Sequence, residues 1–191
     1  MRPALAIVVA AWFFAAAMTH GSVSFADPAE QRSIDPVKSK AQFSITHVFV
    51  EHVTGTVPLV SGSLTIPPNS AIPASASAVL DASMLATGDR DQTDSLRSPD
   101  FFDVKQFPTW TFTSTKVTPH GTGAFGMDGT LTIHGVSRPE HLDVTVQGDA
   151  AHPLYHAIAH IDRHAFGMSV SRLDAAIGGT ADVTLDITLK E

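Results

Sequence analysis

His156, His160 and His164 recur at intervals of four, the spacing that on a helix would stack three imidazoles into a metal-binding face. The residues around them alternate instead. His156-Ala157-Ile158-Ala159-His160-Ile161 has the period of a strand, along which four residues span roughly 13 Å, too far for one ion to bridge. The row therefore reads as a solvated outer face, and no metal ligand is assigned. Gly121-x-Gly123-x-x-Gly126 matches the dinucleotide fingerprint in letters only. That motif needs a strand before it and a helix after it, whereas Pro119 precedes this one and the strand-like run at 129–133 follows, so a glycine-rich hairpin is expected. Neither H-E-x-x-H nor G-x-S-x-G occurs, nothing brings Ser, His and Asp together, and no catalytic residue is assigned. His47 differs from the other histidines because it shares a face with Phe43, Ile45 and Phe49. It is either a buried histidine satisfied by a neighbour or a hydrogen-bonding group aimed at the head of a ligand.

The elements that must position these side chains are strands. Residues 40–50 alternate, and a second strand over 55–59 is expected to be bulged or at an edge because of Pro58. A turn at Ser61-Gly62 leads to a third strand over 63–66. Residues 75–85 carry Ala76, Ala78, Leu80 and Ala82 on one face, and 87–98 is polar and capped like a short helix. Four phenylalanines and a tryptophan then fall within twelve residues: Phe101, Phe102, Phe107, Trp110 and Phe112. Ser98-Pro99-Asp100 resembles a helical start with Ser98 as N-cap. From Trp110 to Ser114 the alternation is again that of a strand, so an aromatic knuckle feeds a strand with one apolar face and plugs or lines the end of a sheet. Further strands are expected over 122–133, 142–146, 155–162 and 183–189, with 134–139 as a connection.

About eight strands with a short helical insert make an all-β chain, and antiparallel closure into an eight-stranded barrel removes exposed edges. A two-sheet sandwich is the structural alternative. Ala76, Ala78 and Ala82 on one face, and Ala157 and Ala159 beside Ile161 on another, leave space where a filled core would want larger residues. That favours a lumen able to hold a ligand, although Phe101, Phe102 and Trp110 could occupy part of it.

Composition narrows the partners. Lys and Arg number 12 against 19 Asp and Glu, which disfavours nucleic acid and anionic surfaces. The start resembles a targeting segment: Arg2, an apolar run from Ala4 to Met18, and small residues at Ser24 and Ala26. Cleavage after Ala26, giving residues 1–26 as a signal peptide and a periplasmic or secreted protein, is the expectation. Cysteine is absent, so the exported domain has to be held by its core alone.

Taken together, Ile34-Asp35-Pro36, Ser39, Phe43, His47, Gly55, the run from Leu96 to Asp103, Phe107-Pro108, 111–114, 129–135 and Phe166-Gly167 resemble the polyisoprenoid-binding YceI-like family over residues 32–189. The chain departs from the family pattern at Ser33, Ser95 and Ala165. The resemblance implies a lipocalin-like antiparallel barrel that needs no cofactor for chemistry and holds an isoprenoid lipid, a polyprenyl phosphate or a quinone, in an apolar lumen. It also implies a membrane b-type cytochrome as a partner. Phe43, His47, Phe101, Phe102, Trp110 and Phe112 would border the ligand, and Ile45, Ala78, Leu80 and Ala159 complete the expected lining.

Overall fold

The computed structural model describes residues 28–47, 51–168 and 174–191; the expected signal peptide at 1–26 and Phe49 lie outside them. In chain order the elements are β1 (Glu30–Ser33), β2 (Lys40–His47), β3 (Glu51–Thr56), β4 (Leu59–Ile66), β5 (Ser75–Asp81), β6 (Ala86–Thr87), α1 (Arg90–Arg97), β7 (Thr109–Pro119), β8 (Ala124–Ile133), β9 (Val136–Gln147), β10 (Leu154–Asp162) and β11 (Ile177–Thr188). Short 3₁₀ turns cover Ala82–Met84, Arg163–Phe166 and Asp174–Ala176.

All strands belong to one antiparallel sheet in the order β1-β4-β5-β7-β8-β9-β10-β11-β2-β3-β6. A two-sheet sandwich is thereby excluded. The sheet is curled: β3 runs into β4 across only Val57 and Pro58, yet β3 pairs with β2 while β4 pairs with β5. One bent segment thus ties the two sides of the curl together, in the manner of a lipocalin-like barrel. The described residues contain eleven strands rather than eight. The short β1 and β6 are the unexpected ones, and the break between β3 and β4 falls at Pro58, whose missing N–H interrupts a ladder.

Several boundaries differ from the sequence expectation for identifiable reasons. Gly62 lies inside β4 rather than at a turn. A Cβ there would meet Ile34 Cδ1 and Ser77 O at 2.6 Å, so this glycine serves close approach of β4 and β5. β5 stops at Asp81 because its carboxylate accepts from Ser83 N (2.9 Å) and starts a 3₁₀ turn. His134 and Gly135, both at positive φ, form a two-residue hairpin, so β9 begins at Val136. Pro139 is tolerated in β9 where β8 is its only strand neighbour. Ser98 closes α1, its N–H donating to Ser95 O (3.1 Å), and its Oγ accepts from Asp100 N (3.3 Å), so it caps a turn through Pro99 and Phe101 rather than a second helix. Asp89 caps the start of α1 by accepting from Gln92 N (2.8 Å). β11 begins at Ile177, six residues early, through an irregular stretch between Ile177 and Ala181.

The core fills the inside of the curl. Phe125, Met127, Leu142, Val144 and Tyr155 pack at one part of it, and Phe166 and Leu85 are fully buried. Among the described residues no helix is long and apolar enough to cross a membrane.

Candidate functional site

Strand alternation sends Ala41, Phe43, Ile45 and His47 of β2 to the inside, opposite Leu185, Val183, Ala181 and Ile177 of β11. Trp110 and Phe112 of β7, Leu131 and Ile133 of β8, and Ala159 and Ile161 of β10 face the same space. What remains between them is an apolar lumen in two chambers. The wider has a volume of about 360 Å³ and the narrower about 100 Å³. Phe43, Trp110, Ile133, Ile161 and Val183 line both, so the chambers meet at a ring contributed by five strands.

Polar groups gather at the wide end. Asp91, Gln92 and Ser95 of α1, His47 and Arg163 border that chamber, with Phe101 and Phe102 of the aromatic knuckle beside them. The guanidinium of Arg163 is already committed. It donates to the carbonyls of Gly178 (2.8 Å), Met168 (2.5 Å), Ile177 (3.1 Å) and Asp174 (3.2 Å), and meets Asp174 Oδ1 at 2.6 Å. The hydrogen bond from Arg163 holds the Asp174 carboxyl below its ordinary range, with His164 adding to the effect. Arg163 therefore fastens the connection between β10 and β11 at the rim, where Met168 and Ile177 line the chamber.

The narrow end contains one carboxylate, Glu140 of β9, set among Leu131, Leu142, Leu185 and Ile187. Burial in this lining raises its pKa, and the negative charge of Asp162 raises it further. At the ring between the chambers, Trp110 stacks against Phe102 with centroids 4.7 Å apart, and its buried Nε1 has no hydrogen-bond partner among the described residues.

All ten residues expected from the sequence to border a ligand lie on this lumen. Phe43, Ile45, His47, Phe101, Phe102 and Trp110 line the wide chamber; Ala78, Leu80, Phe112 and Ala159 line the narrow one. Sequence reading missed Leu96, Met168, Ile177 and Arg163, which arrive from a polar helix, from a turn, and from the irregular start of β11. It also missed Glu140, although the inward series Val136, Arg138, Glu140, Leu142, Val144 could have revealed it. No hydrogen-bonded Ser–His–carboxylate set occurs in the lumen among the described residues.

The histidine row is on the outer face. His156 Nδ1 lies 2.8 Å from Asp186 Oδ1 and His160 Nδ1 2.7 Å from Asp182 Oδ1, each pair directly opposed across β10 and β11. His164 leaves the strand for the 3₁₀ turn after Asp162 and meets Asp174 instead. Among the described residues no three His, Asp or Glu side chains are grouped to hold a metal ion. Gly121 and Gly123, both at positive φ, occupy the hairpin between β7 and β8.

The same architecture is found in solved structures. BcnA of Burkholderia cenocepacia superposes with a TM-score of 0.74 at 23% identity, covering 82% of this chain and 99% of BcnA. A polyisoprenoid binding domain from Saccharophagus degradans gives 0.65 at 17% identity, covering 85% and 98%. Among curated proteins, a UPF0312 protein of Vibrio vulnificus (strain YJ016) is 32% identical over 120 residues, 62% of this chain and 64% of that protein. The match therefore spans less than two thirds of that relative's length. The YceI-like domain family model matches residues 33–189, nearly the whole described fold, and the chain belongs to that family.

Proposed function

We propose that this chain is an exported, non-catalytic binding protein that encloses an isoprenoid lipid, tail in the lumen and head at the α1 rim. The observation that carries the reading is the segregation of the lumen: two adjoining chambers with apolar walls that share five lining residues, and hydrogen-bonding side chains concentrated at the wide end. Each CH₂ transferred there from water contributes about 0.8 kcal/mol, so a prenyl tail supplies most of the affinity. Ordering the flexible tail offsets part of that gain. The polyisoprenoid binding named for the Saccharophagus degradans domain supports the same ligand class.

The rim favours an uncharged head, a quinone, phenol or alcohol, over a phosphate. Arg163 is occupied by four carbonyls and Asp174, while Asp91 adds negative charge and His47, Gln92 and Ser95 offer hydrogen-bonding groups. A quinone ligand would suit exchange with a membrane b-type cytochrome, and a leader cleaved after Ala26 would make this chain periplasmic or secreted. Organic extraction of the purified full chain followed by mass spectrometry tests the reading. A prenyl lipid with a neutral head is the expected result; straight-chain acyl lipid or a polyprenyl phosphate would overturn the tail or the head assignment respectively.

A further inference from the structure

We infer that the ring between the two chambers is a tail-length stop, and that Phe43 and Trp110 select an enclosed tail of about three isoprene units. The inference rests on the lipid-binding reading above. A cavity of roughly 150 Å³ lined by apolar side chains accommodates benzene, six carbons. On that scale the wide chamber, about 360 Å³, holds on the order of fifteen carbons, whereas the narrow chamber, about 100 Å³, holds less than one further unit. With the head at the α1 rim, the tail enters from the wide end and meets the ring next.

The ring is braced by its neighbours. Trp110 is 8% exposed, and Phe102 packs against it with 4.7 Å between centroids. Phe43 is held against Gly55, where even a methyl group would stand 2.6 Å from Phe43 Cε1, so its ring has no room to withdraw toward β3. Ile133 and Ile161 are buried as well. Opening the passage requires displacing close-packed side chains, which the interior resists. A longer tail must therefore fold back or leave the wide chamber, gaining little by its extra units.

Delipidated full-length protein titrated with geraniol, farnesol, geranylgeraniol and an octaprenyl alcohol tests this, with the change in tryptophan emission as the reporter. Wild type is expected to gain about tenfold or more in affinity from two units to three, then to stay flat to eight. Phe43→Ala should extend the gain to four units, and Phe43→Leu, which keeps more of the packing, should do so more weakly. Affinity that climbs steadily to eight units in wild type would overturn the stop while leaving lipid binding intact. Wild-type plateaus in both Phe43 variants would overturn it too. Saturable binding of none of the four alcohols by folded wild type would remove the lipid reading together with the stop.

Discussion

The ring of Phe43 on β2 lies over Gly55, its register partner on β3, and Ala86 O closes the other side of that glycine. A Cβ at position 55 would come within 2.6 Å of Phe43 Cε1 and 2.8 Å of Ala86 O. The backbone oxygen cannot yield, so the aromatic ring has to move into the lumen. Gly55→Ala is therefore expected to destabilise the fold by about 1–3 kcal/mol, the usual cost of overpacking. Adding Phe43→Leu to that variant should recover part of the loss. Thermal melts of the two variants check it; a double variant no more stable than Gly55→Ala would place the strain elsewhere.

Arg163 concerns the rim. The residue is 5% exposed, and its side chain satisfies the carbonyls of Met168, Asp174, Ile177 and Gly178. Removing it orphans those acceptors, and Arg163→Met should cost about 3–5 kcal/mol in urea denaturation. Arg163→Lys should rescue little, because one ammonium cannot reproduce the fork. Asp174→Asn should cost much less, since that carboxylate is partly exposed and a surface-screened partner contributes little. Equal losses for Arg163→Met and Asp174→Asn would show that the ion pair, not the carbonyl clamp, matters.

Glu140 gives the lumen a pH dependence. Burial, with help from Asp162, raises its folded-state pKa above the ordinary 4.5. Below that value the carboxyl is protonated in both folded and unfolded chains and contributes nothing. As pH rises, the unfolded chain ionises first, so the folded state is progressively disfavoured until its own carboxyl ionises, after which the penalty is constant. Glu140→Gln is expected to raise the urea midpoint at pH 7, with the difference vanishing toward pH 4. A variant midpoint equal to wild type at both pH values would mean that the carboxylate is already well solvated.

The two-residue period carried most of the lumen. Phe43, Ile45 and His47 on β2, and Trp110 and Phe112 on β7, face the interior because successive side chains of a strand point to opposite sides. Period alone could not say that Gly62 continues a strand instead of turning, since that depends on the approach of Ile34 and Ser77 from elsewhere in the chain. The rim was illegible for a related reason. Arg163, Met168 and Ile177 acquire their positions through the guanidinium clamp, a tertiary arrangement that leaves no repeat in the sequence. Pro58 was visible as an irregularity, but its role as the hinge between β3 and β4, which lets one segment join both sides of the curl, emerges only from the pairing.

Native mass spectrometry of the full chain, comparing wild type with Ala181→Phe, tests the central claim most directly. Ala181 lines the wide chamber from β11, and a phenyl group there occupies the space assigned to the tail. The account predicts one prenyl lipid per wild-type protein and none on Ala181→Phe, with the β-sheet circular dichroism of the two proteins alike. Undiminished lipid on a folded Ala181→Phe variant would contradict it.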